Sequence, residues 1–75
     1  MDKYFCFSLK ELRLEKGLTQ KELSKLTNFP ISKLSKWERC VDYPELYELA
    51  MLGYIFDVKI QYIIGETKDK SSIQH

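Results

Sequence analysis

Leu18–Arg39, LTQKELSKLTNFPISKLSKWER, decides the architecture of this 75-residue chain. Thr19 is followed three residues later by Glu22, the spacing at which a capping hydroxyl and a returning carboxylate satisfy each other's orphan backbone N–H groups. A helix is therefore predicted to open at Thr19, with Leu18 and Leu23 at the positions that staple a helix entry and Leu26 continuing the apolar stripe. Asn28 is predicted to stop it, because asparagine tolerates left-handed backbone angles. Pro30 has a fixed φ and no N–H, so it suits the opening of a second helix, predicted to run to about Arg39. Two short helices and a tight turn result.

Toward the N-terminus, Ser8 and Glu11 repeat the cap-and-carboxylate spacing, with Phe7 and Leu12 at the staple positions. The first helix is predicted from Ser8 to about Lys16, ended by Gly17. Met1–Phe7 is expected to lay Tyr4, Phe5 or Phe7 over the edge of the core. Leu9, Leu12 and Lys16 share one helix face, and Arg13 lies on the same stripe. A guanidinium facing a core needs a carboxylate, and Glu38, beside the aromatic Trp37, is the natural candidate. We expect an Arg13–Glu38 salt bridge; the plain alternative is two solvated surface charges.

Toward the C-terminus, Cys40–Pro44 reads as a loop, and Asp42 with Glu45 and Val41 with Leu46 predict the next helix start. Leu46, Leu49, Ala50, Leu52, Gly53, Ile55 and Phe56 form its apolar pattern, with Gly53 permitting close approach of another helix and Asp57 marking the break. A last helix, about Lys59–Ile64, stops at Gly65. The domain is set at residues 1–67, its two-helix reading unit at 19–39, and a polar tail at 68–75.

A chain of this length holds one small core and little room for a deep catalytic cleft. No apolar run approaches the roughly 18 residues that span a bilayer, and MDKYFCFS has no long apolar leader, so a cytoplasmic location is expected. Cys6 and Cys40 lack metal-ligand spacing, the sole histidine is His75, and two reduced thiols are expected. Neither metal nor cofactor is implied. The net charge of +1 is unevenly spread. Lys10–Cys40 carries +4 and Val41–Thr67 carries −4, so the basic half contains the two-helix unit, as a phosphate-facing surface requires.

Leu18-Thr19-Gln20, Glu22-Leu23, Leu34-Ser35-Lys36-Trp37-Glu38 and Pro44, in that order and spacing, resemble the Xre/Cro-type helix-turn-helix domains of phage repressors and bacterial regulators. The resemblance covers about Leu9–Thr67 and implies an all-α, five-helix, lambda-repressor-like DNA-binding domain. It implies phosphate contacts from Gln20 and Arg39, and entry of Ile31, Ser32, Lys33 and Lys36 into the major groove. Lys33 and Lys36 can donate to guanine O6 and N7, Ser32 can bond several bases, and Ile31 can pack on a thymine methyl. It also matches Arg13 and Glu38 to a paired arginine and glutamate. In this chain Asn28 stands where the family commonly has a turn glycine, and Pro30 replaces a Ser or Thr cap, giving up about 1 kcal/mol of capping. Ile31 has two readings: the DNA-facing one, and a buried stripe of Ile31, Leu34 and Glu38.

The expected function is a sequence-specific transcriptional regulator of phage or mobile-element repressor type, binding a double-stranded operator as a homodimer, with no small-molecule substrate. Tyr54, Ile60, Tyr62, Ile63 and Ile64 are candidates for either the dimer surface or the core. The rival is a protein-interaction module, antirepressor or antitoxin-like, that keeps the fold without strong DNA binding; the acidic C-terminal half favours it. An enzyme is not expected, because no nucleophile–base pair, metal cluster or phosphate loop is legible.

Overall fold

At Thr19 the side-chain oxygen accepts the Glu22 N–H at 3.1 Å, and the Thr19 N–H donates to Glu22 Oε1 at 2.8 Å, the reciprocal cap expected from the spacing. In the computed structural model, which describes residues 4–69, this cap opens α2 (Gln20–Thr27). Asn28 then takes φ 64°, and Pro30, at φ −60°, starts α3 (Ile31–Glu38) without a side-chain cap. Around this pair stand α1 (Tyr4–Glu15), α4 (Leu46–Phe56) and the short α5 (Ile60–Ile63). All five regular elements of the described residues are helices.

The core gathers one face of every helix: Phe5, Leu9 and Leu12 from α1, Leu23 from α2, Leu34 and Trp37 from α3, Leu49, Leu52 and Phe56 from α4, and Ile63 from α5. Trp37 is fully buried at its centre. Phe5 and Phe29 meet it edge-on, with ring centroids at 6.3 and 5.4 Å and planes near perpendicular, the arrangement that ring quadrupoles favour.

Two predicted helix starts are corrected. α1 begins at Tyr4, so Ser8 lies inside the helix and caps nothing. Continuing the helix one turn upstream places Phe5 on the stripe of Leu9 and Leu12 and buries it against Trp37. Burial of a phenylalanine contributes about 1.5–3 kcal/mol against roughly 1 for a serine cap, so the longer helix wins. α4 begins at Leu46 with Glu45 as its cap residue, three positions later than the Asp42 cap predicted. Pro44 is the reason, since the residue before a proline is pushed out of helical φ and ψ, which keeps Tyr43 outside the helix.

The predicted stripes also shift. Leu26, Leu46 and Ala50 are exposed, and the α2 stripe continues instead through buried Thr27, whose hydroxyl donates to Leu23 O and accepts the Phe29 N–H. Gly53 makes room for both backbone and helix: a Cβ there would stand 2.8 Å from the Val58 carbonyl oxygen, with the Ile63 and Ile60 side chains of α5 at 3.9 and 4.0 Å. Asp57 ends α4 at φ 55°, and Gly65 follows α5 at φ 84°. The expectation of two reduced thiols is overturned, because Cys6 and Cys40 form a disulfide with Cα atoms 5.5 Å apart, well inside the bridgeable range. The upstream turn of α1 is what carries Cys6 to the end of α3. Expectations for the Tyr4 and Phe7 side chains and for the tail beyond Asp69 lie outside the described residues.

Candidate nucleic-acid interface

The rotation of α3 follows from its two apolar anchors. Leu34 and Trp37, three apart, are fully buried, which turns Ile31, Ser32 and Lys36 to the outside. Ile31 is 43% exposed, so it is not part of the buried stripe that was its alternative reading. Arg39, just past the helix, is also exposed, with Nε donating to Ser35 O at 3.4 Å. The chain leaves α3 through a Schellman turn: Val41 N–H donates to Lys36 O, and Cys40 adopts φ 62°, the place usually taken by glycine.

Lys33 is turned differently from its neighbours. Its Nζ donates to Glu48 Oε2 on α4 and stands 5.8 Å from the centre of the Trp37 ring. The pairing raises the lysine pKa above its ordinary value. Glu48 is almost completely buried, yet both its oxygens are used, since Oε1 accepts the Glu45 N–H at 2.7 Å and caps α4. The sequence reading missed this carboxylate. The signal was present, because Glu45 and Glu48 have cap spacing and Glu48 is the only charged side chain in Leu46–Phe56.

The other end of α3 is held from α1. Arg13 donates from Nε to Glu38 Oε2 at 2.7 Å and from Nη2 to Oε1 at 3.0 Å, a two-pronged pair. Its Nη1 donates to Leu18 O at 2.8 Å, tying down the turn that leads into α2. Gln20 Nε2 completes the cluster with a 3.2 Å bond to Glu38 Oε1. The hydrogen bond from Arg13 to Glu38 raises the guanidinium pKa above its already high ordinary value, so this charge is permanent at any working pH. Thus Gln20 is anchored at the start of α2, beside first-turn N–H groups of Gln20 and Lys21 that no intrahelical acceptor can satisfy.

These placements separate the sequence-selected residues. Ile31, Ser32, Lys36 and Arg39 lie on the exposed side of α3 and its end, Gln20 reaches the same helix through Glu38, and Lys33 is committed to α4. Chemically the exposed set offers an apolar contact, a hydroxyl and two basic side chains. Among the described residues no group of three or more His, Cys, Asp or Glu side chains could hold a metal ion, and no helix is long and apolar enough to cross a membrane.

Comparison with known proteins places residues 9–63 within a family model described as Helix-turn-helix. A curated relative, the uncharacterized HTH-type transcriptional regulator YobD of Bacillus subtilis (strain 168), is 31% identical over 65 residues. That alignment takes in 87% of this chain and 58% of the relative, so the chain spans little more than half of the protein it matches. No solved structure matches.

Proposed function

The chain belongs to the Xre/Cro-like helix-turn-helix family, matched over residues 9–63, and from that premise we propose that it is a sequence-specific, DNA-binding transcriptional regulator of repressor type. The observation that carries this reading is the exposed row Ile31, Ser32 and Lys36 on a helix fixed in rotation by Leu34 and Trp37. In the proposal α3 enters the major groove, Lys36 donates to a guanine edge, Ser32 bonds a base, and Ile31 packs on a thymine methyl. Arg39 and the Gln20 end of α2 meet phosphates, which sets register without reading sequence. Lys33 joins them only by releasing Glu48, so its main part is to hold α3 on α4. Two copies bind two half-sites about 34 Å apart.

Selection of bound duplexes from a random pool, followed by affinity measurement across salt, tests this. Lys36→Ala is expected to weaken binding by about 1–3 kcal/mol and to relax preference at one base pair, whereas Arg39→Ala weakens all sequences alike and flattens the salt dependence. Absence of low-salt DNA binding, or binding indifferent to both substitutions, removes the reading. The second reading, a protein-interaction module on the same fold, is favoured by the exposed apolar residues of α4.

A further inference from the structure

α4 is apolar almost all the way round, which is the pattern of a helix buried on both sides. Only one side is buried in this chain. At 100° per residue, Leu46, Tyr47, Ala50, Met51 and Tyr54 fall within an arc of about 140°. All five are exposed, Leu46 to 72% and the two tyrosines to 67% each. The opposite arc carries Leu49, Leu52, Gly53 and Phe56 into the core, together with Glu48, the helix's sole charged side chain, already matched to Lys33. The outward arc is therefore apolar, aromatic and uncharged. The α5 isoleucines, by contrast, are engaged with the core: Ile63 is fully buried, and Ile60 and Ile64 pack against it.

We infer that the outer face of α4 is a self-association surface whose occupant is the same face of a second copy, the two helices related by a two-fold axis. An isologous interface must be complementary to itself, and a face without charge meets its own image with no like charges opposed. A charged or strongly polar partner would find no counterpart on this arc, whose side chains offer only the two tyrosine hydroxyls for hydrogen bonding. The area suffices for a weak dimer. Two tyrosines two-thirds exposed, with Leu46, Ala50 and Met51, offer roughly 500–600 Å² per protomer, so a symmetric pair just clears the about 1,000 Å² expected of a specific interface. The domain measures 30 × 24 × 22 Å, so copies centred on half-sites about 34 Å apart bring their flanks within side-chain reach. The inference rests on the regulator reading for that last step alone.

The test is sedimentation of the whole chain between about 1 and 200 µM, the range in which an interface of this size dissociates. It is paired with binding to duplexes carrying one or two selected half-sites. The double variant Tyr47→Glu/Tyr54→Glu is compared with Leu14→Glu, a charge placed on an exposed apolar residue of α1. Circular dichroism establishes that both are folded. Expected are a concentration-dependent dimer for the wild type and Leu14→Glu, and a monomer for the double variant. On DNA the double variant should keep single-site affinity and lose at least about tenfold on the paired site. A wild type that stays monomeric, free and on the paired site, overturns the inference. So does a dimer that the double variant leaves intact. Loss of the dimer in the double variant, in a protein that binds no DNA, upholds the α4 surface and defeats the regulator reading instead.

Discussion

At its C-terminal end α3 is fastened to α1 by Glu38, whose two oxygens take the fork of Arg13; at its N-terminal end it is fastened to α4 by Lys33, a single ammonium on one oxygen of Glu48. The first pair is sealed, with side chains 11% and 5% exposed, and the second is open on one side, with lysine at 39% and glutamate at 2%. The difference follows from the cations. A guanidinium is planar and permanently charged, so it can satisfy a carboxylate, the Leu18 carbonyl and a core position together. An ammonium is strongly hydrated, and Lys33, 39% exposed, keeps part of its water while its Nζ stands 5.8 Å from the centre of the Trp37 ring. The end of α3 next to the start of α2 is thus rigidly set, and the end that carries Ile31 and Ser32 is held by a contact that can be exchanged.

Removing the sealed pair should do the most damage. Arg13→Ala leaves Glu38 buried without its cation and frees the Leu18 carbonyl, at a cost of about 3–5 kcal/mol. A domain of this size has roughly 4–11 kcal/mol in all, so the variant should be close to unfolding at 25 °C in a urea titration. Arg13→Lys should recover only part of the loss, because one ammonium cannot serve both Glu38 oxygens and Leu18. Equal stability of wild type and Arg13→Ala would show that the two ends of α3 are not held differently.

The disulfide acts at the same end, since Cys40 stands two residues past the end of α3 and Cys6 lies on α1. It closes a sequence separation of 34 residues, for which chain entropy gives about 3–4 kcal/mol. Comparing urea midpoints of the oxidised and fully reduced protein measures it. Reduction should leave the Arg13–Glu38 pair in place, so the reduced protein is expected to remain folded while the reduced Arg13→Ala variant does not. A reduced protein as stable as the oxidised one would assign the whole C-terminal fastening to the ion pair.

Sequence reasoning found one fastening and missed the others for reasons that lie in the residues. Arg13 announces itself because a long cation on a Leu9–Leu12 stripe demands a partner, and Glu38 beside Trp37 stands one residue from the core. The Thr19–Glu22 box, Asn28, Gly17, Asp57 and Gly65 are legible because caps and left-handed positions are encoded within a few residues. The cap spacing of Glu48 with Glu45 was legible, but its burial was not, since that depends on a lysine 15 residues away. The cysteine pair needs the extra turn of α1, which itself depends on Phe5 reaching Trp37. Ile31 shows the limit most directly, because its i, i+3, i+7 relation to Leu34 and Glu38 permits either rotation, and burial of Trp37 selects one.

The open end should respond least to substitution and most to alkaline pH. Lys33→Ala is expected to destabilise the fold by less than Arg13→Ala, because water can reach the place the ammonium leaves and Glu48 keeps its bond from the Glu45 N–H. Glu48 raises the Lys33 pKa in the folded protein above its unfolded value. A raised folded pKa contributes stability that is fully present below the unfolded value, near about 10.4, and is lost as pH rises through the folded value. The stability difference between wild type and Lys33→Ala should therefore be constant from neutral pH to about 10 and shrink above it. Urea midpoints of the two proteins measured side by side give this difference directly. A difference that stays constant through the alkaline range would mean that the charge of Lys33, on Glu48 and beside the Trp37 ring, is not what holds this end of α3 in place.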